Sequence, residues 1–178
     1  MSISNVLVVC TANVRRSPIA AAVLSGTAPW LTVRSAGLHA QIGHRADPHA
    51  VDLLAERGID LSAHRAQQLN RLLCAQADLI FVMDSAQKAE LEHRYSVLKG
   101  RVFRLAHHHG ADIVDSHAAG RTALTPLLDS IEAAVERWSA PLARLAGAPR
   151  RRESRAGEGI REEGAHARAI SIRREMAV

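Results

Sequence analysis

The sequence predicts a three-layer α/β domain, in which helices cover both faces of a four-stranded, mostly parallel sheet. Short apolar runs rich in β-branched residues alternate with segments of helical periodicity, the order typical of a parallel sheet with crossover helices. The runs are continuous rather than alternating, as expected for strands buried on both faces. The chain has 178 residues, 47% of them hydrophobic, which is enough for one domain with its own core.

The first predicted strand is Val6–Val9, an apolar run that ends at Cys10. Ser17 and Pro18 predict a helix start, with Ser17 as the N-cap and Pro18 in the first turn, where a missing N–H costs nothing. Apolar residues on one helical face follow, and Gly26 marks the end of the helix. Cys10 is therefore expected between the carboxyl end of a strand and the start of a helix.

The second strand is predicted at Leu31–Arg34. Asp47 and Pro48 then predict another helix by the same combination of cap and proline, and Gly58 marks its end. The residues expected on the buried face of this helix are Val51, Leu54 and Ala55.

A short helix capped by Asn70 is predicted next, with Cys74 on its apolar face. The clearest strand after the first is Leu79–Met83. Ser85 is expected to cap the following helix, which runs to about Arg94.

The fourth strand is predicted at Val102–Leu105, and the longest helix follows it. Pro126 is expected in the first turn of this helix, and Pro141 is expected to kink it or to end it near Ala140. Gly147 marks the domain boundary. The apolar stripe of the helix is Leu124, Leu128, Ile131, Val135, Trp138, Leu142 and Leu145.

Charge separates the end of the chain from the rest. The formal net charge is +5, and residues 150–178 hold eight Arg and five Glu, a net of +3. We expect one folded domain at 1–147 and an Arg-rich, disordered tail at 148–178. The tail mixes both charge signs and lacks interleaved aromatic residues, so nucleic-acid binding is not expected.

Several other classes are excluded by simple patterns. No apolar run approaches 18 residues, so no membrane insertion is predicted. The N-terminal stretch lacks the basic region of a signal peptide. Two cysteines cannot form a disulfide framework, so a reducing, cytoplasmic location is expected.

The stretch from Cys10 to Pro18 has the features of an anion cradle. Backbone N–H groups between a strand and a helix converge on one point, and the helix N-terminus adds partial positive charge. The residues predicted to bind phosphate and substrate are Thr11, Ala12, Asn13, Val14, Arg15 and Ser17.

The side chains of this stretch suit phosphoryl transfer. Arg16 is expected to bind two phosphate oxygens with its planar guanidinium group, and the same field stabilises Cys10 as a thiolate. Ser17 is expected to donate a hydrogen bond to the sulfur, and Asn13 to tie the loop together. A thiolate beside a bound phosphoryl group is placed for in-line attack and a cysteinyl-phosphate intermediate.

The pattern Cys-x-x-Asn-x-x-Arg-Ser-Pro at residues 10–18 resembles the signature of the low-molecular-weight protein tyrosine phosphatases. Further matches to this family, in order over residues 5–145, are Ser35-Ala36-Gly37, Ala46-Asp47-Pro48, Gly58-Ile59-Asp60-Leu61, His64–Leu69 and Ala77–Asp84. The resemblance implies a four-stranded parallel sheet and hydrolysis of phosphotyrosine on proteins, with no metal and no cofactor. It is strongest to bacterial members paired with tyrosine autokinases of exopolysaccharide export, which makes such a kinase the expected partner.

The resemblance also implies a catalytic acid on the loop before the last helix. This aspartate protonates the leaving phenolate and then activates water. Asp115 is the best match by position, and Asp112, three residues earlier, is its rival.

Four positions depart from the family pattern. Arg15 stands where a second cysteine is usual, so an oxidised Cys10 has no nearby resolving thiol. Ala12 replaces a glycine and would be strained if its φ had to be positive. Ser116 replaces a proline and His117 a tyrosine, so the acid loop is expected to be looser.

Alternatives remain open from the sequence. The chain could be a catalytically weak protein that binds phosphate or phosphotyrosine, or its basic tail could carry the function with the domain as an anchor. An arsenate reductase would need further cysteines, and Cys74 is the sole candidate. His107–His109 is interpreted as a solvated loop, because adjacent residues point in different directions and no acidic partners accompany them.

Overall fold

The computed structural model describes residues 2–115 and 120–147 and has the predicted three-layer architecture. Its strands are β1 (Asn5–Cys10), β2 (Thr32–Gly37), β3 (Leu79–Val82) and β4 (Val102–Arg104). They form one sheet in the order β2-β1-β3-β4, and every neighbouring pair is parallel. The predicted fold class is therefore confirmed. Ser116, His117 and the 148–178 segment lie outside the described residues.

Helices cover both faces of the sheet. They are α1 (Arg16–Thr27), α2 (Pro48–Ala55), α3 (Arg71–Gln76), α4 (Ser85–Arg94) and α5 (Arg121–Ala146). One apolar core joins the sheet to α1, α2 and α5, and a second joins it to α3 and α4. In β1, Val8 points into the first core and Val9 into the second, which explains the continuous apolar run of this strand.

The first core is centred on Trp138 of α5, which is fully buried. Its ring packs edge to face against Phe81 at 4.5 Å, and its Nε1 donates a hydrogen bond to the Leu105 carbonyl at 2.6 Å. At the C-terminal end of α5, the Ile3 N–H donates to the Leu145 carbonyl at 3.0 Å. The N-terminal segment and the end of α5 are thus joined.

Two of the predicted helix caps are present, and two are wrong. Asp47 and Asn70 each accept a hydrogen bond from a backbone N–H in the first turn, as predicted. Ser17 is not a cap, because α1 begins at Arg16 and the Ser17 hydroxyl faces the Cys10 sulfur instead. Ser85 is not a cap either: the Asp84 carboxylate takes that role by accepting from the Gln87 N–H at 2.7 Å.

Of the two alternatives at Pro141, an end of the helix near Ala140 is wrong, since α5 continues to Ala146. A proline inside a helix costs about 3 kcal/mol, whereas a fully buried leucine side chain contributes about 1.5–3 kcal/mol. Leu142, the next residue, and Leu145, one turn further on, are both buried in the first core and together offset the cost.

The buried face of α2 also differs from the prediction. Ala50, Leu53 and Leu54 are buried, while Val51 is half-buried and Ala55 is exposed. The helix is therefore rotated by about one residue from the predicted orientation. Its entry is held by the hydrogen bond from the Asp47 N–H to the Val14 carbonyl at 3.0 Å, which the apolar pattern does not reveal. Within 2–115 and 120–147, no helix combines the length and hydropathy of a membrane span.

Candidate active site

The loop between β1 and α1 lies at the carboxyl edge of the sheet, as the sequence predicts. The chain passes from β1 to β2 on one side and to β3 on the other, so the strand order reverses at β1. Open parallel sheets bind ligands at such points. Cys10 ends β1 and Arg16 begins α1, which places the loop of residues 11–15 at this point.

The carbonyl groups of this loop point outwards to neighbouring segments. Each carbonyl oxygen accepts one hydrogen bond. Thr11 O accepts from His39 N at 2.9 Å, Ala12 O from Gln41 N at 3.0 Å, Asn13 O from His64 Nε2 at 2.8 Å, and Val14 O from Asp47 N at 3.0 Å. In a planar trans peptide the N–H points opposite to the C=O, so the N–H groups of residues 12–15 point inwards. Converging N–H groups form an anion-binding concavity.

Asn13 provides the backbone bend that this loop needs. Its φ is +57°, and among the described residues no other residue except glycine has a positive φ. Asparagine tolerates this left-handed conformation better than most residues do. The strain that Ala12 would bear at a positive φ is therefore absent, because the positive φ falls one residue later.

The Asn13 side chain is completely buried and ties the loop to the rest of the domain. Its amide nitrogen donates to Ser17 Oγ and to Ser35 Oγ, both at 2.9 Å. Its amide oxygen accepts from the Gln67 N–H at 2.9 Å, and its carbonyl oxygen accepts from the His64 ring. Since a carbonyl only accepts, His64 Nε2 carries the proton.

The sequence predicted that Asn13 holds the loop together, but it did not reveal three hydrogen-bond partners of Asn13, namely Ser35, His64 and Gln67. Each lies within a motif that carries the family resemblance, so the signal was present. The motifs alone did not reveal that these side chains converge on one asparagine.

The Cys10 sulfur is buried and receives two hydrogen bonds. The Asn13 N–H donates to it at 3.3 Å, and Ser17 Oγ lies 2.9 Å away. Because Ser17 Oγ already accepts from Asn13, its own proton is directed to the sulfur, which is nearer than the Ala36 carbonyl at 3.5 Å. Hydrogen bonds from N–H and O–H donors stabilise a negatively charged sulfur.

Arg16 lies at the start of α1, mostly buried, with its guanidinium group held by acceptors. Its Nη1 donates to Asp84 Oδ2 and to the Ile113 carbonyl, each at 3.2 Å, and its Nε lies 3.4 Å from Asp115 Oδ2. Asp84 thus both caps α4 and orients Arg16.

Arg15 joins two carboxylates. Its Nε and Nη2 lie 3.1 Å and 3.0 Å from Asp47 Oδ2, and its Nη1 lies 3.2 Å from Asp115 Oδ1. Burial alone would lower the pKa of Arg15, but hydrogen bonds and charges from Asp47 and Asp115 outweigh it and raise that pKa. Arg15 is therefore engaged by acids of this chain.

The structure separates the two candidate acids. Asp112 Oδ1 accepts from Arg104 Nη1 at 2.6 Å and from the Ser85 hydroxyl at 3.2 Å, away from the loop of residues 11–15. The hydrogen bond from Arg104 holds the pKa of Asp112 below its usual value. Asp115 instead lies against Arg15 and Arg16, so it is the acid that the fold brings to the cradle.

Gly37 shows how closely the cradle is packed against β2. It pairs with Cys10 in the sheet, and a Cβ atom on Gly37 would lie 2.6 Å from the Thr11 carbonyl oxygen. It would also lie 2.9 Å from the Ala40 Cα. A side chain at this position therefore has no room unless the cradle moves.

The two cysteines of the chain lie on opposite faces of the sheet. Cys10 packs in the core of α1, α2 and α5, whereas Cys74 packs in the core of α3 and α4. Burial raises the pKa of the Cys74 thiol. With the sheet between the sulfurs, a disulfide cannot form in the folded domain, which removes the thiol relay that an arsenate reductase would need.

Metal binding has no geometric support in the described part of the chain. Residues 2–115 and 120–147 contain no group of three His, Cys, Asp or Glu side chains placed to hold an ion. His107–His109 forms one exposed 3₁₀ turn rather than an open loop, and the His108 ring packs against Trp138 at 4.8 Å.

Comparison with known proteins agrees with this geometry. The family model described as low molecular weight phosphotyrosine protein phosphatase matches residues 5–147. The chain is 46% identical over 136 residues to the "Probable low molecular weight protein-tyrosine-phosphatase EpsP" of Ralstonia nicotianae, covering 76% of this chain and 94% of that protein.

Solved structures lead to the same family. Vibrio vulnificus Wzb in complex with benzylphosphonate has a TM-score of 0.74 and 32% identity, covering 78% of this chain and 99% of that one. The YwlE arginine phosphatase from Geobacillus stearothermophilus has a TM-score of 0.74 and 32% identity, covering 79% and 94%. The chain therefore belongs to the low molecular weight phosphotyrosine protein phosphatase family.

Proposed function

We propose that this chain is a cysteine-dependent phosphatase that hydrolyses phosphotyrosine on proteins. The observation that carries the proposal is the Cys10 sulfur, which receives hydrogen bonds from the Ser17 hydroxyl and the Asn13 N–H at the edge of an N–H-lined cradle. Family membership supports it, and the relatives EpsP and Wzb are named protein-tyrosine-phosphatases.

In the first step the Cys10 thiolate attacks the phosphorus atom. The P–O bond to the tyrosine breaks as the P–S bond forms, and Asp115 gives its proton to the leaving phenolate. Arg16 and the inward N–H groups of residues 12–15 bind the three equatorial oxygens, whose charge develops in the transition state.

In the second step a water molecule attacks the cysteinyl phosphate. The Asp115 carboxylate accepts a proton from that water, the P–S bond breaks and inorganic phosphate leaves. The Ser17 hydroxyl and the Asn13 N–H stabilise the thiolate that is released. The phosphate site is lined by the backbone of four further loop residues, Thr11, Ala12, Val14 and Arg15.

The expected substrate is a tyrosine-phosphorylated protein, specifically a tyrosine autokinase of exopolysaccharide export, met in the cytoplasm. The support is the resemblance to bacterial members of the family that pair with such kinases. Residues 1–147 are proposed as the catalytic unit and 148–178 as an extension, because the family match ends at residue 147.

The decisive experiment compares the two aspartates on a phosphotyrosine peptide. Asp115→Asn should slow turnover by about 10²–10⁴-fold, the usual contribution of general acid–base catalysis, while Asp112→Asn should keep most of the activity. Cys10→Ser should abolish turnover yet still bind phosphate. Vanadate should inhibit the wild-type protein, and EDTA should have no effect.

Two outcomes would overturn the proposal. Binding of vanadate by the wild-type chain without any turnover would identify a phosphate-binding protein. A clear preference for a phosphoarginine peptide over a phosphotyrosine peptide would place the chain with its structural neighbour, the arginine phosphatase.

Loss of turnover on deletion of 148–178, with the domain still folded, would contradict the assignment of the catalytic unit.

A further inference from the structure

We propose that Arg15 is a positioning residue that holds Asp115 over the cradle for proton transfer. The inference rests on the proposed function, since it gives Arg15 a role only through the general acid. Arg15 occupies a position of the loop where the family resemblance places a cysteine, so the role would distinguish this chain from the family pattern.

The contacts of Arg15 form a bridge between two carboxylates. One edge of its guanidinium group, Nε and Nη2, meets a single oxygen of Asp47 at 3.1 Å and 3.0 Å. The remaining nitrogen, Nη1, meets Asp115 Oδ1 at 3.2 Å. Because the guanidinium group is planar and rigid, fixing one edge on Asp47 also fixes where Nη1 lies.

Asp47 is itself anchored by contacts that do not involve Arg15. Its Oδ1 accepts from the His49 N–H at 2.9 Å, which caps α2, and its own N–H donates to the Val14 carbonyl at 3.0 Å. Its side chain is largely buried. The bridge therefore rests on a fixed point at one end, and Asp115, on the segment before α5, is the group being positioned.

The two oxygens of Asp115 contact different arginines. Oδ1 meets Arg15, and Oδ2 lies 3.4 Å from Arg16 Nε. Arg16 is the residue assigned to bind the phosphate oxygens of the substrate. Its contact with Asp115 therefore competes with substrate binding. Arg15 contacts Asp115 from the side of Asp47, so its hold on Asp115 does not depend on Arg16.

The test compares aryl phosphates that differ in their need for a proton. Phenyl phosphate releases a basic phenolate that requires the acid, whereas 2,4-dinitrophenyl phosphate releases a stable anion that leaves without one. Arg15→Met should lower kcat/KM for phenyl phosphate by about tenfold to a hundredfold and for the dinitrophenyl ester by less than about threefold. Inhibition by vanadate should stay near the wild-type level.

A double-mutant cycle separates positioning from structure. In an Asp115→Asn background, Arg15→Met should cause no further loss with phenyl phosphate, because residues that act as one unit are not additive. Arg15→Lys should recover only part of the activity, since an ammonium group cannot span both carboxylates. Arg34→Met, which removes the same charge from an exposed arginine, is the control and should leave both esters unaffected.

The outcomes distinguish this inference from the proposed function. If the wild-type chain hydrolyses neither ester, the proposed function fails. A second outcome overturns only the positioning role of Arg15 and leaves the proposed function standing. In that outcome the wild type is active and Asp115→Asn slows hydrolysis of phenyl phosphate selectively, but Arg15→Met slows hydrolysis of both esters equally. If Arg15→Met does not fold, Asp47→Asn keeps the helix cap while loosening the bridge and should give the same selective loss on a smaller scale.

Discussion

The Cys10 sulfur and the Ser17 hydroxyl lie 2.9 Å apart, although seven positions separate them in the chain. The sequence context of Ser17, directly before a proline, is that of a helix cap. Its hydroxyl instead lies buried beside the sulfur, with its lone pair occupied by Asn13. A side chain that would ordinarily stabilise a helix end thus contacts the sulfur of the proposed nucleophile.

Removal of this hydroxyl should slow catalysis. A hydrogen bond to a charged group is worth about 1.5–3 kcal/mol, so Ser17→Ala should lower kcat by about tenfold to a hundredfold. Alkylation of Cys10 by iodoacetamide at neutral pH should slow as well. Ser25→Ala, on the exposed side of the same helix, is the control. Unchanged kcat in Ser17→Ala would contradict the assigned role.

A methyl group at Gly37 should disturb the cradle. Its Cβ would meet the Thr11 carbonyl oxygen at 2.6 Å, so Gly37→Ala should lower the free energy of unfolding by about 1–3 kcal/mol and reduce turnover. Gly26→Ala is a matched comparison, because Gly26 lies in α1 with open space around its Cα. That change should stabilise the domain by about 0.5–1 kcal/mol, as measured by urea unfolding.

Oxidation of Cys10 should be poorly reversible. The sheet separates Cys10 from Cys74, and the chain has no third cysteine, so an oxidised Cys10 has no thiol of its own chain to pair with. Peroxide should therefore convert it beyond sulfenic acid, and dithiothreitol should restore only the sulfenic fraction of the activity. Mass spectrometry should find sulfinic and sulfonic Cys10. Full recovery with dithiothreitol would contradict the prediction.

The pairing of Asp112 with Arg104 should make the free energy of unfolding depend on pH in the acid range. The pKa of Asp112 is lowered in the folded domain, so its contribution is present above the unfolded value near 3.8 and is lost as the pH falls through the lower folded value. Asp112→Asn should therefore lower the free energy of unfolding at pH 7. The difference in this free energy between the variant and the wild type should shrink as the pH falls towards about 3. A difference that stays constant over this range would contradict the linkage.

The two central strands were predictable because each is buried on both faces and needs little context. Val6–Val9 and Leu79–Val82 are unbroken apolar runs in the sequence and central strands in the structure. The parallel order followed from the alternation with helices. Only the ends shifted: β2 extends to Gly37 because it pairs with β1 along its whole length, up to Cys10.

Tertiary contacts explain the wrong predictions. Asp84 replaced Ser85 as a cap while also binding Arg16, and Pro141 stayed helical because the residues beyond it are buried. At the site, the spacing from Cys10 to Pro18 predicted the cradle. It could not reveal that Arg15 bridges Asp47 and Asp115, because those partners are 32 and 100 positions away.

The hydrogen bond between Ile3 and Leu145 has a practical consequence for handling the protein. It holds the end of α5 at the amino edge of the sheet, beside the segment that leads into β1. Cys10 ends the adjoining strand at the opposite edge, about 20 Å away at the usual rise per residue. An attachment made through the end of α5 therefore lies at the edge of the sheet opposite to the loop of residues 11–15 and leaves that loop uncovered.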